Sequence, residues 1–486
     1  MTIYYIDPNV AGVGTGTIGD PYKAFTSVPS LVANDQVLFK RGTIYSNQVL
    51  INASRATSTT LATPITIGAY DSGDLPIIRS TLYGVDIDTL NGVVVQDLNI
   101  DSDVSYATGG IRALNSAEIT IQRCTTNDRC NYGIRIDNTG ATKLSNISIL
   151  NNTIEGTWNN SGIIVVWGTS LGGVYQDVTI ANNTVTQTGK YGTSGDPMGI
   201  RLLTRQASVT SSSGTVEVDT FTYGLKIYGN YVYDVRSYGI SVNAVKSGST
   251  ETLKNTIYNN IITNTGMGGI HDAHMLWVSG CRDMVIEDNT LDTSTMFIGS
   301  PVGTGVGIFV DCGNPDGYSG CKNITIRRNR VSNTGQHPEN NNNSTEVKGC
   351  GILVLWSQNV AVYDNDIVNC CNGIGTYWGG VGLATSNVIF DGNRINSINV
   401  GASIITQSDL VTVKNNYIEA STGIYIQNSG GSAITNYTET GNTVLATSAY
   451  VQADSTATPV VTTRTPSSTN KTLTAKIAKL SQFKLQ

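Results

Sequence analysis

The chain has 486 residues, of which 39% are hydrophobic and only 14% charged, with 52 glycines and a formal net charge of −6. No basic stripe accompanies this acidic balance, which argues against a nucleic-acid partner and allows neutral or weakly charged ligands. No apolar run approaches the roughly 20 residues needed to cross a bilayer. The opening Met1-Thr-Ile-Tyr-Tyr-Ile6 carries no signal peptide, so the expectation is a protein made in the cytosol without a membrane span.

The first stretch, residues 1–90, reads as an N-terminal cap with the first coils of a stack. It contains Tyr4-Tyr-Ile-Asp-Pro8, a Gly/Thr-rich loop, Gly19-Asp-Pro-Tyr22, Asp35-Gln-Val-Leu-Phe-Lys-Arg-Gly42 and Pro64-Ile-Thr-Ile-Gly-Ala-Tyr-Asp71. A cap is expected because the open end of a β-stack otherwise exposes a strand edge.

From Ile149 to Val444 one pattern returns: an apolar residue, two variable ones, an asparagine, one variable, another apolar. The asparagines are Asn152, Asn183, Asn230, Asn260, Asn289, Asn329, Asn365, Asn393, Asn416 and a degraded copy at Asn442, separated by 23 to 47 residues. Repetition at such a period predicts a solenoid. The local pattern alternates over four to six Val- and Ile-rich positions with no sustained helical stripe, so the coils are strands and turns. Most coils carry a second marker, Gly-Ile, as at Gly133-Ile134, Gly162-Ile163, Gly199-Ile200, Gly239-Ile240, Gly269-Ile270, Gly307-Ile308 and Gly351-Ile352. Two short strands per coil, stacked about 4.8 Å apart, predict an all-β, single-stranded parallel β-helix over residues 91–445, right-handed by the general rule for parallel crossovers. The asparagines are expected at tight bends, accepting left-handed backbone angles and bonding to their counterparts in adjacent coils. Leu98 and Cys124 take that position in the irregular early coils.

The segments within residues 3–80 resemble the N-terminal signature of the parallel β-helix superfamily that is similar to pectate and alginate lyases, found in secreted polysaccharide-active enzymes and bacteriophage tailspikes. The repeats agree with that fold over nearly all the rest. The resemblance implies a carbohydrate-related context and leaves the reaction open, because lyases, hydrolases and epimerases share it. A tailspike-like protein would act on a bacterial surface polysaccharide, capsule or O-antigen, from a virion assembled in the host cytoplasm. Residues 446–486, Ser/Thr-rich to about Asn470, are then a tail, cap or arm, and the family commonly supports a homotrimer there.

Eight cysteines form no regular framework, which suggests buried free thiols, with Cys312 and Cys321 the one pair to test for a disulfide. No cofactor is expected. Asp311, Asn314 and Asp316 are conceivable calcium ligands, although their spacing fits no calcium-loop pattern.

Function must sit on an outer face or in the insertions. The longest coils span 184–229, 290–328 and 330–364, and would wall a groove over the Gly-Ile strands. Taking each marker isoleucine as inward, the next residue points out: Arg135, Ile164, Arg201, Ser241, His271, Phe309 and Leu353. Two further on lie Asp137, Val166, Leu203, Asn243, Ala273, Asp311 and Leu355. Arg201, His271 and Asp311 then share a face, with His271 and Asp311 as diagonal neighbours at roughly 6–8 Å. Aligning Trp277 with Trp167 and Trp356 instead puts His274 in the outward position.

Asp311, His271, Asp272, Glu339 and Glu346 are therefore the candidate catalytic groups. Glycoside hydrolysis needs two carboxylates, about 5–5.5 Å apart for retention or about 6.5–9.5 Å for inversion, and neighbouring coils supply either. Elimination at a uronic acid would need a base and a cation, for which Arg201, Arg205 and His271 are available. Acids outnumber bases, which favours hydrolysis. Arg201, Arg205, His274 and Asn243 are the polar candidates for substrate binding. Trp167, Trp277, Trp356, Tyr377 and Trp378, expected at the far end of the second strand, suit either sugar faces or sealing of the solenoid corner. A lyase on the same scaffold and a non-catalytic glycan-binding adhesin are the competing readings.

Overall fold

Each repeated asparagine is buried, and each bonds to the next. In the computed structural model, Asn230 N and Nδ2 donate to Asn260 Oδ1 at 3.1 and 2.9 Å, and Nδ2 also reaches Ile180 O at 2.9 Å. The pattern repeats from Asn152 through Asn183, Asn230, Asn260, Asn289, Asn329, Asn365, Asn393 and Asn416 to Asn442. Every amide in the interior of the ladder is thereby satisfied, which a buried polar group requires.

The left-handed angle falls one residue earlier than the sequence suggests. Asn151, Asn182, Asn259, Asp288, Arg328, Asp364 and Asn415 have φ near +55°, with Gly229, Gly392 and Gly441 in the same place. The residue before the ladder turns the chain, which frees the asparagine itself to enter the core in ordinary geometry. Leu98 and Cys124 hold the ladder position in earlier coils, and Asn152 Oδ1 accepts from Cys124 N at 2.9 Å.

The structure describes residues 1–102, 108–140, 143–167, 174–190, 197–203, 208–211, 214–217, 222–243, 255–266, 274–292, 305–311, 320–335, 349–377, 385–405, 408–428, 436–454 and 461–464. They form a parallel β-helix. A 16-stranded sheet runs from Ile3–Ile6 to Val461–Arg464 and makes the first face of the stack. The 24-stranded sheet holds two further stacks. One contains the short strands after the ladder asparagine, such as Thr153–Glu155 and Thr184–Thr186; the other contains Ile134–Asn138, Ile163–Trp167 and their successors. Each coil thus has three strands rather than two, because a second left-handed residue, such as Gln187, Asp234 or Asn264, bends the chain between the second and third faces. Towards the C-terminus these two faces merge into single bent strands, Asp366–Tyr377, Arg394–Ile405 and Tyr417–Asn428.

The Gly-Ile marker has a steric cause. A Cβ on Gly133 would stand 2.6 Å from Gly162 O and 2.7 Å from Ile154 Cγ2, so at this position glycine lets consecutive coils close over the second-face residue. The isoleucine that follows enters the core: Ile134, Ile163, Ile200, Ile240, Ile308 and Ile352 are all fully buried. The seven described cysteines are buried free thiols, Cys321 among them; Cys312 lies outside the described residues. Among the described residues no helix is long and apolar enough to cross a membrane.

Candidate active site

The third face carries the outward residues, and its register assigns them. One column runs Arg112, Arg135, Ile164, Arg201, Ser241, Trp277, Phe309, Leu353, fixed by in-register pairing of successive strands. The column two residues on includes Asp137, Val166, Leu203, Asn243, Ser279 and Asp311. Arg201, Asn243 and Asp311 therefore occupy the positions expected of them.

The coil between Ser241 and Phe309 differs from expectation. Leu276, not Ile270, pairs with Ile240 and Ile308, so Trp277 takes the outward place assigned to His271 and Ser279 that of Ala273. Met275 stands where neighbouring coils have glycine, its carbonyl accepting from Ile240 N at 2.9 Å. The marker Gly269-Ile270 lies outside the described residues, as do His271, Asp272, Arg205, Asn314, Asp316, Glu339, Glu346 and Trp378. A better signal was available: Ser241-Val-Asn, Trp277-Val-Ser and Phe309-Val-Asp share an inward valine, which survives where the glycine does not.

The alternative alignment on tryptophans also fails, since the three residues do not share a register position. Trp277 sits mid-strand, Trp167 pairs with Asn138 at a strand end, and Trp356 follows Cys350–Leu355 in a left-handed turn with φ of 46°. Tyr377 pairs with Leu355 and packs on a second apolar cluster that includes Val306, Leu353 and Tyr425.

Asp311 is 5% exposed although it lies on the outer side of the sheet. Its Oδ1 accepts the indole N–H of Trp277 at 2.9 Å. Its carbonyl accepts from Gly280 N at 3.0 Å and from the Cys321 thiol at 3.1 Å, which pins the strand end behind the carboxyl group. Trp277 stacks on Tyr238 with centroids 5.1 Å apart, and His274 packs between Tyr238 and Phe309 at 5.4 and 4.5 Å. His274 is 3% exposed with Nδ1 unpartnered among the described residues, and burial pushes its pKa down to about 3, so its imidazole is neutral. Ser241 Oγ lies 3.2 Å from Asn243 Oδ1 and continues the polar strip. The arrangement is a shielded carboxyl group, oriented by an indole donor and walled on one side by aromatic rings. Among the described residues no group of three or more His, Cys, Asp or Glu side chains gathers to hold a metal ion.

A second polar group on this face was not singled out from the sequence. Arg112 Nε and Nη2 each reach Asp86 at 2.8 Å, and Arg135 Nε reaches both oxygens of Asp137 at 2.9 and 2.7 Å. Burial pulls the Arg135 guanidinium down, and the contact with Asp137 outweighs it and holds the group above its ordinary value. Arg112 lies over the Tyr83 ring at 4.5 Å and Arg135 over Tyr132 at 4.6 Å. Arg135 and Asp137 were legible as outward residues and pair with each other within one strand; the Arg112–Asp86 pair joins residues 26 positions apart in different coils and was not.

Comparison with protein-family models and with curated proteins gave no match. Among solved structures the chain is similar to a GH136 lacto-N-biosidase from Eubacterium ramulus, with 16% identity, 86% of this chain and 68% of that one covered, and a TM-score of 0.48. It is similar to a mannuronic acid specific polysaccharide family 6 lyase from human gut microbiota, with 15% identity, 94% and 92% covered and a TM-score of 0.47. Tailspike protein 3 of bacteriophage CBA120 is also similar, with 10% identity, 87% and 55% covered and a TM-score of 0.45. At these identities the likeness concerns the fold, which the strand register establishes independently as a parallel β-helix.

Proposed function

We propose that the protein is a depolymerase that cleaves glycosidic bonds of a bacterial surface polysaccharide by hydrolysis, with Asp311 as one of two carboxyl groups. The observation that carries this reading is the Asp311 carboxyl group itself, 5% exposed on the outer side of the third face and held by the Trp277 indole at 2.9 Å. A fold does not need a carboxyl group in that place. Burying one costs free energy unless it is paired, and such expense concentrates where chemistry is done.

Two carboxyl groups are required, one to protonate the leaving oxygen and one to activate water or attack the sugar. Among the described residues the column neighbour of Asp311 on one side is Ser279, and on the other the register ends at Val310–Val354 with Leu355 next in the chain, so neither side supplies a second acid. The partner in this proposal is therefore Asp272, Glu339 or Glu346, which lie outside the described residues, in the chain segments that precede the two strands paired with the Asp311 strand. Trp277 then acts first on Asp311 and only secondarily on sugar. Arg201, Asn243 and His274 remain proposed substrate contacts, and Trp356 is better placed to seal a corner. A tailspike-like homotrimer in a virion fits this reading and is part of the proposal.

The test is incubation of the protein and its Asp311→Asn variant with a panel of capsular and O-antigen polysaccharides, reading fragment mass and ultraviolet absorbance together. Fragments heavier by one water per cut, lost by at least a thousandfold in Asp311→Asn, support the reading. Unsaturated, absorbing fragments would replace it with a lyase. Tight binding without fragments would make the protein an adhesin.

A further inference from the structure

We propose that Arg112 and Arg135 form a separate binding site for a carboxylate-bearing sugar unit on the same face, upstream of Asp311. The argument begins with a cost. Arg112 and Arg135 are register partners on adjacent strands, so two guanidinium groups project side by side from one column. Like charges directly opposite each other destabilise a sheet. Asp86, the register neighbour of Arg112, and Asp137, two residues along the strand from Arg135, offset the repulsion while staying more buried than the arginines: the aspartate side chains are each 7% exposed, the arginines 24% and 27%.

That difference in exposure leaves the cations on the outside with donors to spare. Arg135 engages Asp137 through Nε alone, so among the described residues neither of its Nη groups has a hydrogen-bond partner; Nη1 of Arg112 is in the same state. Much of the remaining freedom is already restricted, because each guanidinium is bonded to a buried carboxylate and sits over a tyrosine ring. Gln48 Nε2 holds Asp86 in turn at 3.2 Å. A planar fork held rigid in this way loses little entropy on binding and matches a carboxylate bidentately. Two forks on neighbouring strands, about 4.8 Å apart, can share one anion, which would relieve the repulsion.

The site lies in line with Asp311. Five strand steps separate Asp137 from Asp311, about 24 Å along the stack, and Ile164, Arg201, Ser241 and Trp277 continue the Arg112–Arg135 column towards it. A chain lying along the third face would reach both. The net charge of −6 disfavours acidic polymers in general, so an acidic glycan would have to be recognised locally, as here. That the anion belongs to a sugar rests on the proposed function; that an anion binds does not.

The experiment is titration calorimetry of the full chain carrying Asp311→Asn, which binds without cutting, with galacturonate oligomers, the same oligomers after carboxyl reduction, and inorganic phosphate. Removing Arg135 alone strands Asp137, so the double variant Arg135→Gln/Asp137→Asn, which keeps a hydrogen-bonded pair, is tested alongside. The expected result is galacturonate binding that weakens at least tenfold on carboxyl reduction, at least tenfold in the double variant, and progressively with salt. Equal binding of the reduced oligomers, or unchanged binding by a folded double variant, would overturn the proposal. Phosphate competing as well as galacturonate would reduce the site to a general anion site and overturn the sugar assignment. Galacturonate binding by a protein that cuts no polysaccharide would uphold this site while removing the hydrolase reading.

Discussion

The indole N–H of Trp277 donates to Asp311 Oδ1 at 2.9 Å, and the two residues come from adjacent coils, 34 positions apart in the chain. The bond turns an aromatic residue, which from sequence looks like a sugar platform, into the group that orients a carboxyl. Replacing Trp277 by Phe keeps the ring and its stacking on Tyr238 while deleting the donor. A hydrogen bond to a charged group contributes about 1.5–3 kcal/mol, so kcat is expected to fall at least about tenfold with KM little changed. An unchanged kcat in a folded Trp277→Phe protein would remove Trp277 from the proposed chemistry.

Asn289 lies in the interior of the ladder, accepting from Asn260 N and Nδ2 and donating to Asn329 Oδ1 at 2.9 Å. Asn289→Ala takes the acceptor from the Asn260 backbone N–H, whose Nδ2 keeps Ile227 O and Tyr258 O, and removes the Nδ2 donor from Asn329 Oδ1, Ile257 O and Glu287 O. The expected loss is about 2–4 kcal/mol, read from the denaturant midpoint. Asn289→Asp should cost more, because it sets a carboxylate against the Asn329 oxygen. A shift of less than about 0.5 kcal/mol in the alanine variant would show that the ladder is incidental to stability.

Gly133→Ala tests the steric reason for the Gly-Ile marker. The added methyl would stand 2.6 Å from a backbone oxygen and 2.7 Å from Ile154, neither of which can move without opening the gap between coils. Destabilisation of about 1–3 kcal/mol is expected, with the circular dichroism of the native state unchanged. A neutral effect would mean the coils separate at little cost.

Burial sets the pH response of His274. Its pKa is pushed from 6.5 to about 3 in the fold, so below pH 6.5 the unfolded chain binds the proton and the native state does not. Its contribution is intact above 6.5 and is lost as pH falls towards 3, at up to about 1.4 kcal/mol per pH unit. The difference in unfolding midpoint between pH 7 and pH 5 should therefore shrink in His274→Phe. Equal pH dependence of the two proteins would place the imidazole in contact with water.

The parallel β-helix was legible because its cause is local and repeated. An asparagine every 23 to 47 residues, flanked by Val and Ile, states the ladder and the inward faces without reference to anything distant. The counted outward positions Arg135, Asp137, Arg201, Asn243 and Asp311 hold for the same reason, since side-chain direction follows from alternation within one strand. What the chain alone did not determine was register where the repeat is broken. Between Asn260 and Asn289 the glycine marker is offset from the strand, and counting from Gly269 put His271 where Trp277 stands. Only pairing with Ile240 on one side and Ile308 on the other decides that position. The contacts that define both candidate sites, Trp277 with Asp311 and Arg112 with Asp86, likewise join coils 26 to 34 residues apart. Such distances are set by stacking, which brings together residues whose sequence separation varies with every insertion, and so the sites exist only in the tertiary structure.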